Sequence, residues 1–357
     1  MRKPRSSKTG SADTPFAAQV VRWQKQHGRH DLPWQRTRDA YRIWLSEIML
    51  QQTQVATVIP YFARFIARFP DVRSLAAADE DDVLALWSGL GYYSRARNLH
   101  RAAQLIVERH GSELPRSADE LIELPGIGRS TAAAIAVFAY GARHAILDGN
   151  VKRVFARRFG IAGYPGEAKV MAALWRETER QLPVREIESY TQGLMDLGAT
   201  LCTRTKPRCD ACPVGDECVA RARNRIADYP APRPRKALPQ RTTQMLVLLH
   251  AKEVLLEKRA ATGIWGGLWS LPEVPLDADV KALCRERYGS IIADQRELPP
   301  VAHGFTHFKL DILPRCATVK RVLPQVRAHG VSWLPLEDAL GAAIPAPVRR
   351  ILQSLID

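Results

Sequence analysis

Leu124-Pro125-Gly126-Ile127-Gly128 decides how the larger part of this chain is read. The five residues separate a helical stretch ending near Glu123 from another beginning near Gly128, and the two glycines permit a tight turn and close backbone approach. Amides exposed at the second helix's N-terminus make an anion site that needs no side-chain charge, and Arg129 adds one. Such a turn is either a plain helix junction or a helix-hairpin-helix that holds a DNA backbone. Charge favours DNA: 52 Lys+Arg against 37 Asp+Glu leave +15 over 357 residues, an excess matched to a polyanion. An anionic membrane is the weaker alternative, since the chain has no long basic amphipathic segment and no lipidation signal.

Working outward, apolar residues recur at three and four spacing in residues 16–23, 41–65, 83–86, 99–107, 130–140 and 151–159, which predicts a helical domain over 15–223. Residues 1–14 form a polar, basic tail expected to be disordered. Residues 224–241 hold Pro230, Pro232, Pro234 and Pro239 among arginines and predict an extended linker. Beyond it, short apolar runs at 244–249 and 254–257, Gly and Pro punctuation, and helical stretches at 280–288 and 336–342 predict a mixed α/β domain over 242–357. Two domains suit the length, and 46% hydrophobic with 25% charged residues excludes disordered and collagen-like architectures. The longest apolar stretch, 132–140, is about half a membrane span, and no apolar signal core opens the chain. The expectation is a soluble intracellular protein.

Chemistry is concentrated at a few positions. Ile43, Trp44, Ile48, Leu50 and Val55 share one helical arc, and Glu47 and Gln51 fall inside it. A carboxylate among apolar residues carries a raised pKa and can serve as a general acid, unless it snorkels to the rim or pairs with an arginine. Asp148 precedes a helix with an apolar face (Val151, Val154, Phe155, Phe159) opposite Lys152, Arg153, Arg157 and Arg158; it suits an N-cap, and a capping Asp can still aim its second oxygen into a cleft. Cys202, Cys209, Cys212 and Cys218 fall within seventeen residues, whereas Cys284 and Cys316 stand alone. Such spacing in a large, unexported chain indicates a metal centre rather than disulfides. Zinc or a 4Fe-4S cluster accepts four thiolates, and a single Cys-x2-Cys pair favours the cluster. Gly89 to Arg97, GLGYYSRAR, offers an aromatic wedge for a base stack, or else two tyrosines packed between helices.

With SEIMLQQTQV at 46–55, the hairpin at 124–128, LDGNV at 147–151 and the four-cysteine spacing in this order, the first 220 residues resemble the endonuclease III superfamily of helix-hairpin-helix DNA glycosylases, and within it the adenine DNA glycosylase family. The resemblance implies a mostly α, two-lobed helical domain with a 4Fe-4S cluster loop, Glu47 and Asp148 facing each other across a cleft, and base excision by base flipping. Strand-cutting members carry a nucleophilic lysine where this chain has Ser130, so the resemblance implies a monofunctional enzyme. Some relatives hold a tyrosine there, leaving open what positions Asp148. Lys152 matches a lysine that can react adventitiously with the abasic product and is assigned no catalytic role. Asn150 is expected to orient water or Asp148, and Gln51, Gln52 and Tyr92 to fill the space left by the flipped adenine. WGGLWSLPE at 265–273 resembles the segment ahead of a Nudix hydrolase motif, but residues 274–289 lack its metal-binding carboxylates. The resemblance therefore implies a Nudix-like domain that reads 8-oxoguanine, with Phe305, Thr306 and His307 as the reading loop and Thr306 in place of the usual serine.

The expected ligands are duplex DNA containing 8-oxoguanine:A or G:A and one 4Fe-4S cluster, with no catalytic divalent metal; the expected state is a monomer in the cytoplasm, at the bacterial nucleoid. Gly126, Gly128, Arg129, Ser130 and Lys152 complete the expected DNA contacts. The rival readings are a mismatch or oxidised-pyrimidine glycosylase of the same superfamily, and a non-catalytic iron-sulfur DNA-binding protein.

Overall fold

The computed structural model describes residues 14–234, 237–323 and 330–356. Of the 1–14 tail only Thr14 is among them, and it is ordered: its Oγ1 accepts from the Ala17 amide at 3.2 Å and caps the helix Pro15–His27. The chain divides into two compact units, Met1–Arg73 with Arg101–Arg235, and Ser74–His100 with Lys236–Asp357.

The first unit is helical. Its core gathers Phe16 and Val20 from Pro15–His27, Val151, Val154 and Phe155 from Gly149–Phe159, Leu174 from Ala168–Arg180, and Leu194 and Leu197 from Ile187–Thr200. The apolar rhythm of residues 41–65 predicts one continuous helix, but the structure breaks it. Ala40–Leu50 ends with Gln51 as its C-cap, Gln52 adopts a left-handed φ of 60°, and Val55–Arg68 begins a second helix. Val55 is therefore not on the arc of Glu47. The hairpin is present between Ala118–Ile122 and Arg129–Tyr140, with Gly126 at φ 81° and Gly128 capping the second helix without a side chain. Residues 226–231 are not extended linker: Ile226–Asp228 is a short 3-10 turn, Tyr229 is buried, and the Ala231 amide donates to Gly163 O at 3.1 Å. Bonds to this helical unit outcompete the extended preference that the prolines impart.

The second unit is mixed. Its β-sheet comprises β1 (Gln240–His250), β2 (Glu253–Lys258), β3 (Trp269–Ser270), β4 (Glu273–Val274), β5 (Ser290–Glu297), β6 (Val301–Gly304), β7 (Lys309–Val322) and β8 (Val331–Pro335). The main path runs β3-β2-β1-β7-β5. β1 and β7 pair in parallel from Gln240↔Lys309 to Leu249↔Thr318, so the end of the expected linker is already strand. Met245 to Leu248 are buried in succession, as a central strand covered on both faces requires. Leu246, Leu248 and Leu255 pack there with Val280, Cys284 and Tyr288 of the helix Val280–Tyr288. That helix carries Glu286 as its only carboxylate. Residues 74–100 belong to this unit despite their place in the sequence. The helix Glu80–Trp87 buries Val83, Leu84 and Trp87, and the loop after it separates its two tyrosines: Tyr93 is buried while Tyr92 is 44% exposed.

Candidate active site

A cavity of about 1270 Å³ opens in the helical unit, and Glu47, Gln51, Gln52, Gly128, Ser130, Asp148 and Asn150 all line it. Glu47 reaches it from Ala40–Leu50, whose Ile43, Trp44, Ile48 and Met49 are buried. Glu47 is partly exposed and lines the cavity. Burial, reinforced by the negative charge of Asp148, pushes its pKa up to about 8, so Glu47 is protonated at neutrality.

Asp148 is both cap and cavity residue. Its Oδ1 accepts from the Val151 amide at 2.8 Å, capping Gly149–Phe159, and its Oδ2 accepts from Asn150 Nδ2 at 3.1 Å. Burial raises its pKa, but the Val151 amide, the Asn150 side chain and the Arg153 charge all act in the opposite direction. The two acids thus sit in one cavity with different support: donors surround Asp148 and stabilise its anion, while Glu47 meets apolar surface and a neighbouring charge.

Ser130 fixes the approach to Asp148, because its Oγ accepts the Leu147 amide at 2.9 Å. Gly198 in Ile187–Thr200 secures the other side. A Cβ there would lie 2.4 Å from Asn150 Cβ, so only glycine lets that helix press against the Asp148 turn. Arg153 extends the network through a bond to Asn150 Oδ1 at 2.9 Å and others to the carbonyls of Gly198 and Cys202. A continuous chain of polar contacts therefore runs Asp148–Asn150–Arg153–Cys202. Sequence reading missed Arg153, and also missed the cavity-lining ion pair Arg38–Glu188 at 2.7 Å. Arg153 and Glu188 lie on helices and Arg38 in the loop before Ala40–Leu50, where a sequence presents charges as solvated.

Gln51 Nε2 donates to Gly126 O and Thr131 Oγ1, each at 3.4 Å, joining the helix end to the hairpin. Arg129 lies 3.8 Å over the Trp175 ring and pairs with Glu179. Lys152 is partly exposed and is not among the cavity's lining residues.

Cys202, Cys209, Cys212 and Cys218 line one small pocket with Arg157, Arg208 and Arg221. Among the described residues, no three His, Cys, Asp or Glu side chains converge closely enough for a single metal ion. Four cysteines lining one pocket supply the sulfur donors that a metal centre requires. Buried Arg157 braces the loop, donating to Thr203 O at 2.7 Å and Tyr229 O at 2.9 Å, with Nη1 3.4 Å from Cys202 Sγ.

In the second unit, residues 305–308 form the turn between β6 and β7, closed by Phe305 N donating to Phe308 O at 2.9 Å. The sequence allows Phe305 as a wedge, but the ring is committed elsewhere. It stacks on Phe308 at 4.4 Å and meets Trp265 at 5.4 Å and His303 at 4.7 Å. Thr306 and His307 are left exposed at the tip.

Residues 45–180 match the family model described as HhH-GPD superfamily base excision DNA repair protein, and residues 244–354 match a NUDIX domain. The chain is 36% identical over 340 residues to the adenine DNA glycosylase of Buchnera aphidicola subsp. Acyrthosiphon pisum, covering 95% of this chain and 97% of that one. It is 32% identical to the Homo sapiens adenine DNA glycosylase, covering 95% of this chain and 74% of the human one. A thermostable thymine-DNA glycosylase structure superposes with a TM-score of 0.53 at 26% identity, over 58% of this chain and 95% of that one. Matches over both units and nearly the full length, on a helical cavity bearing two acids, place this chain in the adenine DNA glycosylase family.

Proposed function

We propose that the protein excises adenine opposite 8-oxoguanine or guanine in duplex DNA, flipping the nucleotide into the cavity and hydrolysing its N-glycosidic bond. The observation that carries this reading is the pairing of Glu47, held protonated, with Asp148, held by the Val151 amide and the Asn150 side chain, in one cavity. Glu47 donates its proton to adenine N7, and the C1′–N9 bond breaks with its electron pair leaving on the base. The sugar becomes an oxocarbenium-like cation facing the Asp148 carboxylate, which stabilises it or bonds to it. Water then adds at C1′ and gives a proton to the Glu47 carboxylate, restoring the acid. Asn150 holds Asp148 Oδ2 in place.

Ser130 supplies no amine for attack on C1′, so the product is an intact strand with an abasic site. Gly126, Gly128 and the open helix end receive phosphate, as do Arg129, whose exposed pair with Glu179 yields to a stronger anion, and Lys152. Gln51, Gln52 and Tyr92 fill the gap in the duplex. Thr306 and His307 read the opposite base, and Phe305 backs them.

The four cysteines are the residues that hold a 4Fe-4S cluster, which when bound staples the basic loop around Arg204, Lys206 and Arg208. No described helix is long and apolar enough to cross a membrane. The enzyme acts as a monomer at the nucleoid in the cytoplasm. The test is incubation with 8-oxoguanine:A, G:A, G:T and oxidised pyrimidine:G duplexes, with and without alkali. Strand breaks appearing only after alkali, and only in the first two duplexes, are the expected result. Breaks without alkali, or release from G:T or the oxidised pyrimidine, would refute the assignment.

A further inference from the structure

Residues 74–100 pack within the same compact unit as the domain bearing the Thr306–His307 tip, with contacts to β2, β3, the turn 265–267 and the C-terminal residues. Asp81 pairs with Lys258 and accepts from Trp269 Nε1 at 3.2 Å; Arg97 Nη1 donates to Gly266 O; Ser88 Oγ donates to Ile344 O at 3.1 Å and accepts from Arg349 Nη2 at 3.0 Å. The turn 265–267 is shaped for this approach. Trp265 and Gly267 both adopt left-handed backbone, at φ 55° and 76°, and the missing side chain of Gly267 admits Glu80, Leu84 and Arg97 to within 3.3–3.8 Å of where a Cβ would stand. A tryptophan in that conformation is strained and persists only where its surroundings hold it.

On its other side Trp265 packs against Phe305 and His303, the base of the exposed tip. Arg97 lies in the first turn of Ser94–Arg109, directly after the loop that presents Tyr92. Buried Arg95 ties that loop to the same helix start, donating to Gly91 O at 3.1 Å with its guanidinium 5.5 Å from the Tyr92 ring. One packed path therefore joins Thr306 and His307 to Tyr92 by way of Phe305, Trp265, Gly266 and Arg97.

We propose that Arg97, seconded by Asp81, is a specificity-determining positioning residue, coupling the reading tip to the Tyr92 loop so that contact with the opposite base sets how Tyr92 enters the duplex. This rests on the reading of Thr306 and His307 given above. Physical adjacency alone does not establish coupling, and a double-mutant cycle measures it.

The readout is the single-turnover rate ratio between 8-oxoguanine:A and G:A for the full chain carrying Arg97→Ala, Thr306→Ala with His307→Ala, and all three changes. The Thr306/His307 variant should lower the ratio at least about fivefold, the effect of losing one good polar contact to a base edge. Arg97→Ala should lower it to a similar degree while the G:A rate stays within about twofold, and the combined variant should lose no more. Arg97→Lys, which keeps a donor for Gly266 O, should recover most of the ratio. 2-Aminopurine beside the lesion should brighten on binding of the parent protein to 8-oxoguanine DNA and fail to do so with Arg97→Ala. Multiplying losses, or equal losses on both substrates, would overturn the coupling and leave the reading tip standing. An unchanged ratio in the Thr306/His307 variant would overturn both.

Discussion

Glu47 and Asp148 stand inside a cavity of the helical unit, whereas Thr306 and His307 stand exposed on a turn of the β-rich unit. The cavity changes what its residues are. Without burial a glutamate is ionised at neutrality and cannot donate a proton; enclosure makes Glu47 an acid, while donors at Asp148 oppose the rise that burial imposes on its pKa. The tip fixes where its residues are, through a base of Trp265, Phe305 and Phe308. On the proposed reading, catalysis depends on environment and recognition on placement. Substitutions at the two places should accordingly fail in different ways.

The largest effect belongs to the cavity. Glu47→Gln keeps the shape and removes the proton, and should slow single-turnover adenine release by about 10² to 10⁴ with DNA affinity retained. Asp148→Asn should cost about 10² to 10³. A near-parental rate in either would break the contrast, since the cavity would then also act by placement alone.

Losing cluster ligation comes next. The intact protein should be brown, with about four irons per chain, and Cys212→Ala should lose the colour and much of the DNA affinity. Colourless protein with one zinc would contradict the ligand assignment. Arg153→Gln should reduce release about 10- to 100-fold, the usual range for groups that orient a site residue. It also removes a charge that holds the Asp148 pKa down, so the acid limb of the rate profile should move to higher pH. A slower rate with an unmoved limb would make Arg153 structural only.

Much of this was legible in the sequence. The hairpin, the cysteine spacing, Glu47 among apolar neighbours and Asp148 before a helix are local patterns, and local chemistry reveals them. The break at Gln51 was not legible, because the apolar rhythm continues through it and the bond from Gln51 to Gly126 spans 75 residues. Arg153, Arg38 and Glu188 were hidden for the related reason that a charge on a helix or in a loop looks solvated until its partner is known. The attachment of residues 74–100 to the C-terminal sheet rests on partners such as Asp81 and Lys258, 177 residues apart, which no periodicity reports.

Ser130→Lys should produce a smaller but qualitative change. An amine in that position should give a borohydride-trappable complex with the abasic sugar beyond any formed by the parent. Without it, the placement of Ser130 beside the reacting carbon would be wrong. A further effect is on stability. Glu47 has a higher pKa folded than unfolded, so its contribution is fully present below about 4.5 and is lost as pH rises through about 8. Glu47→Gln should therefore melt increasingly above the parent across that window, with the gap constant beyond it; a gap independent of pH would show that Glu47 is not held protonated.

The second-order rate constant for adenine release by the parent protein, measured against pH, tests the pairing of acid and anion most directly, because it reports the essential groups of the free enzyme. The account predicts a bell: an acid limb as Asp148 is protonated, and an alkaline limb near 8 as Glu47 loses its proton. A rate that stays level or rises through that alkaline limb would mean that Glu47 does not deliver the proton.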